Sequence, residues 1–424
     1  MFCSMPTDHP VRPSSLAALF ILLAVVVPTS AQEDFILRSD ATQSTVSISV
    51  LPFEGMEKIP QLAALATPHQ VLQADLEFSK RFQVVPPPAN GWDSASVAQK
   101  ALAALAYGIV LPGSGKDEIV LKMRMVDASS RETLLEKDYS GRPRDLRRLV
   151  HRFSDDMVFQ MFGERGIATT RIAFVRGKPG HKEIWTMDYD GFGAEPWTKN
   201  GSINLSPTWD RDGGLIWSSY AGGGAAKLWR QTPGQKAHPL LPSVPGMQIS
   251  ASTSPLDGEV AMATSLDGQT EIWRGQPEGR PVRLTYSPDL EVSPSWSPNG
   301  WQIAFTSDRT GHPQVYVMDR EGSGTRRLTW TGQYNDQPSW SPAGDRIAFA
   351  RMAGGFQILT ISPDGSDERW LGPGEQPKWS PDGRHIVFTR AWAKSSDIWV
   401  CEADGSNPRA LTFFGDAAMP AWSR

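Results

Sequence analysis

Cysteine is nearly absent from this chain: two residues in 424, Cys3 and Cys401. Cys3 stands ahead of an apolar leader, so removal of that leader would leave Cys401 alone and no intramolecular disulfide could form. Cationic surplus is missing too. A formal net charge of -4 offers nothing with which to neutralise phosphates, which excludes nucleic acid as a partner class. No Gly-x-Ser-x-Gly elbow occurs, so a hydrolase carried on this chain would lack its nucleophile. Histidine is sparse, and His69, His151, His181, His238, His312 and His385 show no pair at metal-ligand spacing. The long apolar run Ser15 to Val27 is too short to cross a bilayer comfortably. It follows Arg12 and leads into Pro28-Thr29-Ser30-Ala31, a pattern that predicts a secretory signal cleaved after Ala31. An uncleaved anchor is the alternative, which the small-residue exit disfavours. No cysteine stands at the exit to carry a lipid.

What the chain has instead is a repeat. The stretch Ser293 to Thr329 holds a short strand ending at Trp296, a Ser297-Pro298-Asn299-Gly300 turn, and the buried-strand runs Ile303-Ala304-Phe305 and Val315-Tyr316-Val317-Met318, then an edge-like strand to Leu328-Thr329. The Trp296 position recurs at Trp209, Thr253, Trp340, Trp379 and Trp422, with spacings of 44, 43, 44, 39 and 43 residues along the chain. Four strands per repeat of roughly 40 to 50 residues is the signature of a β-propeller blade. Arg171 to Val175 opens a blade with no Trp strand ahead of it, and Pro420-Ala421-Trp422 is a Trp strand with no blade behind it. Joining the two predicts a closed ring of six blades without a free sheet edge.

Ahead of the repeats, residues 45–163 read as a small α/β domain. Val46 to Leu51 alternates as a strand; Gln61 to Arg81 is helical by spacing, broken near Pro68; Val97 to Tyr107 is an alanine-rich helix capped by Asp93 or Ser94. Ile109 to Leu111, Ile119 to Val126 and Thr133 to Tyr139 are strands, and Arg144 to Phe162 is an amphipathic helix. Residues 164–170 link this unit to the propeller at 171–424. Between the signal and the α/β domain, Gln32 to Ser44 is polar except for Phe35, Ile36 and Leu37. Composition describes a plain disordered leader; the three apolar residues would also suit a segment that adds itself to a sheet edge.

No catalytic constellation stands out. Gly113-Ser114-Gly115-Lys116 lacks the first glycine of a phosphate loop and has Asp117 where Ser or Thr is needed, so a hairpin turn is expected. Asp188 to Gly191 and Asp210 to Gly213 begin like calcium loops without the twelfth-position Glu, and Asp-Gly turns account for them. The repeated Trp residues fit packing between blades better than an aromatic ligand cage. No cofactor and no metal site are expected.

Signal, α/β domain, Gly163-Glu164-Arg165-Gly166 linker and six blades, in that order, resemble the TolB family of the Tol–Pal system. The resemblance covers essentially the whole mature chain. It is carried most specifically by Val50-Leu51-Pro52-Phe53-Glu54-Gly55, by Gly163 to Val175, and by Ser307 to Tyr316. Thr253 in place of Trp, and Trp209-Asp210-Arg211-Asp212 in place of the W-S-P-D pattern, depart from it. The resemblance implies a monomeric, periplasmic, non-enzymatic adaptor. It would bind the lipoprotein Pal at the channel mouth and TolA through a strap at Gln32 to Ser44, with Phe35, Ile36 and Leu37 as its apolar contacts, and would support outer-membrane invagination during division. The loops leading into each Trp strand, with those joining second and third strands, are the expected Pal face. Its candidates are Met247, Gln248, Glu291, Val292, Arg309, His312, Asn335, Asp336, Glu375 and Gln376, most of them polar with no partner visible in the sequence. A propeller enzyme and a glycan-binding module are the rival readings; the first needs clustered His or carboxylates at the mouth, the second exposed aromatics there.

Overall fold

The computed structural model describes residues 45–62, 67–88, 91–115 and 117–424. The signal, the strap segment with Phe35, Ile36 and Leu37, and Lys116 lie outside the described residues.

The first unit is a five-stranded sheet of order β2-β1-β3-β4-β5. Its strands are β1 (Val46–Val50), β2 (Phe82–Val84), β3 (Ala104–Pro112), β4 (Ile119–Asp127) and β5 (Thr133–Gly141). β1 pairs parallel with both β2 and β3, so helix α1 (Pro68–Phe78) is the crossover of a βαβ unit. Pro68, expected to break a longer helix, sits in the first turn of α1, where a missing N–H costs nothing. A short helix α2 (Ser94–Gln99) follows, begun by Asp93, whose carboxylate accepts from Ser96 N at 2.7 Å. The alanine-rich helix expected over Val97 to Tyr107 stops at Gln99, and Ala104 opens the central strand β3, which takes in the expected strand Ile109 to Leu111. Ala104 and Ala106 face the core under α1 and the long helix α3 (Leu146–Phe162), while Leu105 joins a smaller cluster with Val97 on the other face. Burial on both faces overrides alanine's helical preference. α3 ends at Gly163, in left-handed geometry with φ 67°, its N–H on Phe159 O at 2.8 Å.

Six four-stranded antiparallel sheets follow. Blade 1 pairs Arg171–Lys178 with Ala417–Trp422, in the register Ala421 to Ala173 and Trp422 to Ile172. The ring is therefore closed by the last strand, as expected from the two orphaned halves. Blades 2 to 6 begin with the inner strands Asn204–Trp209, Gln248–Thr253, Glu291–Trp296, Asn335–Trp340 and Glu375–Trp379. The Trp residues pack between blades: Trp296 lies with Ala261 of blade 3 and Phe305 of its own blade, and Trp340 with Val315 of blade 4 and Phe349. Two indoles also donate to the preceding blade, Trp209 to Ala421 O at 3.0 Å and Trp379 to Ser339 O at 3.1 Å.

The segment between the two units is not a loose spacer. Asp155 of α3 accepts from Ala168 N (2.7 Å) and Thr169 N (3.0 Å), and Glu164 joins Arg81 of the first unit to Arg384 of blade 6. Phe78, at the end of α1, enters the propeller core beside Ile172, Val400 and Trp422, stacked on His385 with ring centroids 3.9 Å apart. Behind it Asp75 accepts from Tyr189 OH at 2.7 Å and bonds His151 Nδ1 at 2.8 Å, all three side chains buried.

Candidate functional site

A channel runs down the propeller axis between the inner strands. In every blade the inner strand breaks register once, at a residue with positive φ: Ser206, Ser250, Ser293, Gln337, Gln376 and Met419, with φ between 50° and 60°. Left-handed geometry is costly for a non-glycine residue, and a bulge is where a strand accepts it. The following residue is proline in five blades and Ala251 in the third. Proline suits this place because a bulged inner strand has no ladder partner there for its N–H. Part of the bulge ring is tied around the circumference: Gln337 Oε1 accepts from Gln376 N at 2.9 Å, and Gln376 Oε1 accepts from Met419 N at 2.9 Å. Toward the Trp end, Ser252 Oγ accepts from Trp296 N and Ser295 Oγ from Trp340 N, both at 3.2 Å. Where blade 3 has Thr253 instead of Trp, Arg424 reaches across and donates from Nη2 to Thr253 O at 2.9 Å.

The expected face is the end at which the inner strands begin, and the structure divides its candidates. Gln248, Glu291 and Asn335 are fully buried, and they are not partnerless loop residues. Each is the first residue of an inner strand; Gln248 and Asn335 staple the loop before it, and Glu291 the loop after the second strand. Gln248 Nε2 donates to Val244 O (2.8 Å), and Asn335 Nδ2 to Thr331 O (2.9 Å) and Gln314 Oε1 (2.9 Å). Glu291 accepts from Ser307 Oγ at 2.8 Å and pairs with Arg309 at 3.0 Å. Burial raises the Glu291 carboxyl above its ordinary value, against the pull of Ser307 and Arg309. Asn204 plays the same part in blade 2, accepting from Trp217 Nε1 at 3.1 Å. Arg309 is thereby held inward, its guanidinium 4.9 Å from the Tyr316 ring centroid. Met247 and Val292 are partly buried. Asp336, Glu375 and Gln376 do come together at the mouth. Asp336 accepts from Thr306 Oγ1 at 2.7 Å, and burial, with the Asp336 charge adding, pushes the Glu375 carboxyl up. His312 is exposed.

Three aromatic side chains outside the expected set are the exposed material on this face. Tyr286, Trp330 and Phe413 are 78%, 73% and 86% exposed. Each ends a Leu-Thr-aromatic triplet in the loop before an inner strand: Leu284-Thr285-Tyr286, Leu328-Thr329-Trp330 and Leu411-Thr412-Phe413. The Leu is buried, and the Thr hydroxyl accepts from a backbone N–H within its own blade (Ile272, Val315 and Ile398, 2.9 to 3.0 Å). The third residue is thereby fixed pointing out. Arg283 and Arg327 lie 4.6 and 4.7 Å from the Tyr286 and Trp330 ring centroids. Among the described residues no group of three His, Cys, Asp or Glu side chains is placed to hold a metal, and no helix is long and apolar enough to cross a membrane.

Six meanders around a channel, closed by the last strand and joined through a packed linker to a small α/β sheet, define a class, the six-bladed β-propellers with an N-terminal α/β domain. The family profile described as the TolB beta propeller domain matches residues 159–424. A Protein TolB homolog of Chlorobium luteolum is 36% identical over 369 residues, spanning 83% of this chain and 84% of that one. The Tol-Pal system protein TolB of Desulfosudis oleivorans is 32% identical over 330 residues, 74% of this chain and 64% of that one. The chain belongs to the TolB family. The crystal structure of TolB from Acinetobacter baumannii shares the fold, with a TM-score of 0.73 at 21% identity, covering 89% of this chain and 96% of that one.

Proposed function

We propose that this protein is a periplasmic, non-catalytic adaptor of the Tol–Pal system. It binds Pal on the propeller face where the inner strands begin, and TolA through the segment Gln32 to Ser44. The observation that carries the reading is the outward-fixed set Tyr286, Trp330 and Phe413 on a face whose polar staples are buried. Exposed aromatics held at low entropic cost are the side chains that anchor protein interfaces. Asp336, Glu375 and His312 supply a polar rim, and Met247, Val292 and Gln376 the floor. Family membership supports the choice of partners.

The test is calorimetric titration of soluble Pal into the wild type and the double variant Trp330→Ala with Phe413→Ala. Both side chains are exposed, so the melting curve should hold while Kd rises at least tenfold, about 1.4 kcal/mol per decade. Unchanged affinity overturns the Pal face. Removal of residues 32–44 should abolish binding of the TolA C-terminal domain; undiminished binding overturns the strap. Exposed rings would equally stack on sugars, so soluble glycan fragments belong in the same titration. Saturable glycan binding lost in the double variant, with none to Pal, would favour the glycan module.

A further inference from the structure

Halfway along the channel the residue before each Trp position forms a second ring: Thr208, Ser252, Ser295, Ser339, Lys378 and Ala421. Four hydroxyls and one amine face one small space. The cavity on the Trp side of this ring is about 140 Å³ and the one toward the mouth about 170 Å³; Lys378 lines both. Neither lining contains an Asp or Glu, while Arg424 adds a second cation to the first. Among the described residues the Lys378 ammonium has neither a hydrogen bond nor an ion pair. The nearest influential carboxylate, Asp336, is engaged by Thr306 and Gln337 N. Burial pulls the amine below its ordinary value, opposed by the Asp336 charge. The hydroxyls are donors in waiting. Those of Ser252 and Ser295 already accept a backbone N–H, which leaves their own O–H to give, and those of Thr208 and Ser339 are unengaged among the described residues.

We propose that the channel is a small-oxyanion site in which Lys378 is the charged anchor and the hydroxyl ring supplies neutral donors, and that the ligand it takes is a carboxylate. An ammonium with three protons and flanking O–H groups satisfies both oxygens of a carboxylate, and a cation without a protein partner gains most from one. Monatomic cations are disfavoured by the same amine. The cavity admits a free ion or a single acidic side chain, and the chemistry is the same for either. This inference is independent of the Pal and TolA assignments.

The experiment follows the melting temperature and tryptophan fluorescence of the full mature chain at constant ionic strength against sodium acetate, calcium chloride, and a short capped peptide carrying one Asp or its Asn counterpart. The comparison is with Lys378→Met, which keeps the aliphatic stem and removes an unpartnered charge from the channel, so it should fold at least as well as the wild type. Expected is saturable stabilisation of the wild type by acetate, by the Asp peptide, or by both, at least tenfold weaker in Lys378→Met. Acetate alone marks a free ion; the Asp peptide, with the Asn peptide silent, marks an inserted side chain. Equal responses of the two proteins, no response of the wild type to either carboxylate, or a stronger response to calcium overturns the proposal.

Discussion

Trp422→Ala isolates the closure of the ring. The side chain is 8% exposed, packed with Ile172, Phe174 and Val387, and its Nε1 donates to Thr170 Oγ1 at 2.9 Å. Removing a buried Trp costs about 3 to 5 kcal/mol, the lost hydrogen bond included. For a cooperative unit of this size each kcal/mol lowers Tm by about 2 to 4 °C, so a fall of roughly 6 to 20 °C is expected. Deleting Pro420 to Arg424 goes further. It also removes Ala421 O, which Trp209 uses, the paired Arg171–Ser423 bonds of 2.8 Å, and the Arg424 contact with Thr253 O. It also strips the partner from the first half of the strand Arg171–Lys178, where Ala421 and Trp422 pair with Ala173 and Ile172, which exposes unpaired backbone to other chains. Differential scanning calorimetry with light scattering reads both effects. The truncated protein should melt below Trp422→Ala and aggregate. If Trp422→Ala melts within about 2 °C of the wild type, the last strand does not carry the closure and the reasoning fails.

The Asp75–His151–Tyr189 cluster predicts a pH dependence. Burial works against charge on His151, but the Asp75 hydrogen bond and charge, with Asp190, outweigh it and raise the imidazole above its ordinary 6.5. The stabilisation is therefore complete below about pH 6.5 and is lost as pH rises through the folded value. Thermal melts from pH 5.5 to 9 should show this decline in the wild type and a flattened profile in His151→Gln; parallel profiles refute it. Gly166→Ala should destabilise by about 1 to 3 kcal/mol. A Cβ there would lie 2.2 Å from Asp155 Oδ1 and 2.6 Å from Asp155 Cα, and backbone cannot swing aside. A urea midpoint equal to wild type would show that the linker is not locked onto α3.

The propeller was legible because each blade states its own plan: a Trp, a turn, an apolar triplet, at nearly constant spacing. Ring closure followed from two incomplete ends. The second half of β3 was legible at Ile109 to Leu111, but its first half was not, because Ala101 to Ala106 carries no mark of the helices that bury Ala104 and Ala106. Gln248, Glu291 and Asn335 misled for a related reason. A polar residue before a strand looks solvated until the loop whose carbonyls or hydroxyls it bonds is in view. The Leu-Thr-aromatic triplet was available at equivalent places in three blades, hidden behind the stronger Trp signal. The Asp75 cluster was out of reach altogether, since its partners lie 76 and 114 residues away.

The α/β unit touches the ring at a particular place, through α1, α3 and the linker. Its side chains meet blade 6 at His385, Arg384, Glu402 and Arg409, and blade 1 at Tyr189 and Asp190. Blade 1 is the blade assembled from distant parts of the chain, and Glu164 and Phe78 span the junction beside it. Mechanically the α/β unit is a clasp over the seam of a split washer. A pull on the α/β unit would load first the strand pair Ala417–Trp422 and Arg171–Lys178, the joint on which the circle depends, and would reach blades 3 and 4 only through the ring itself.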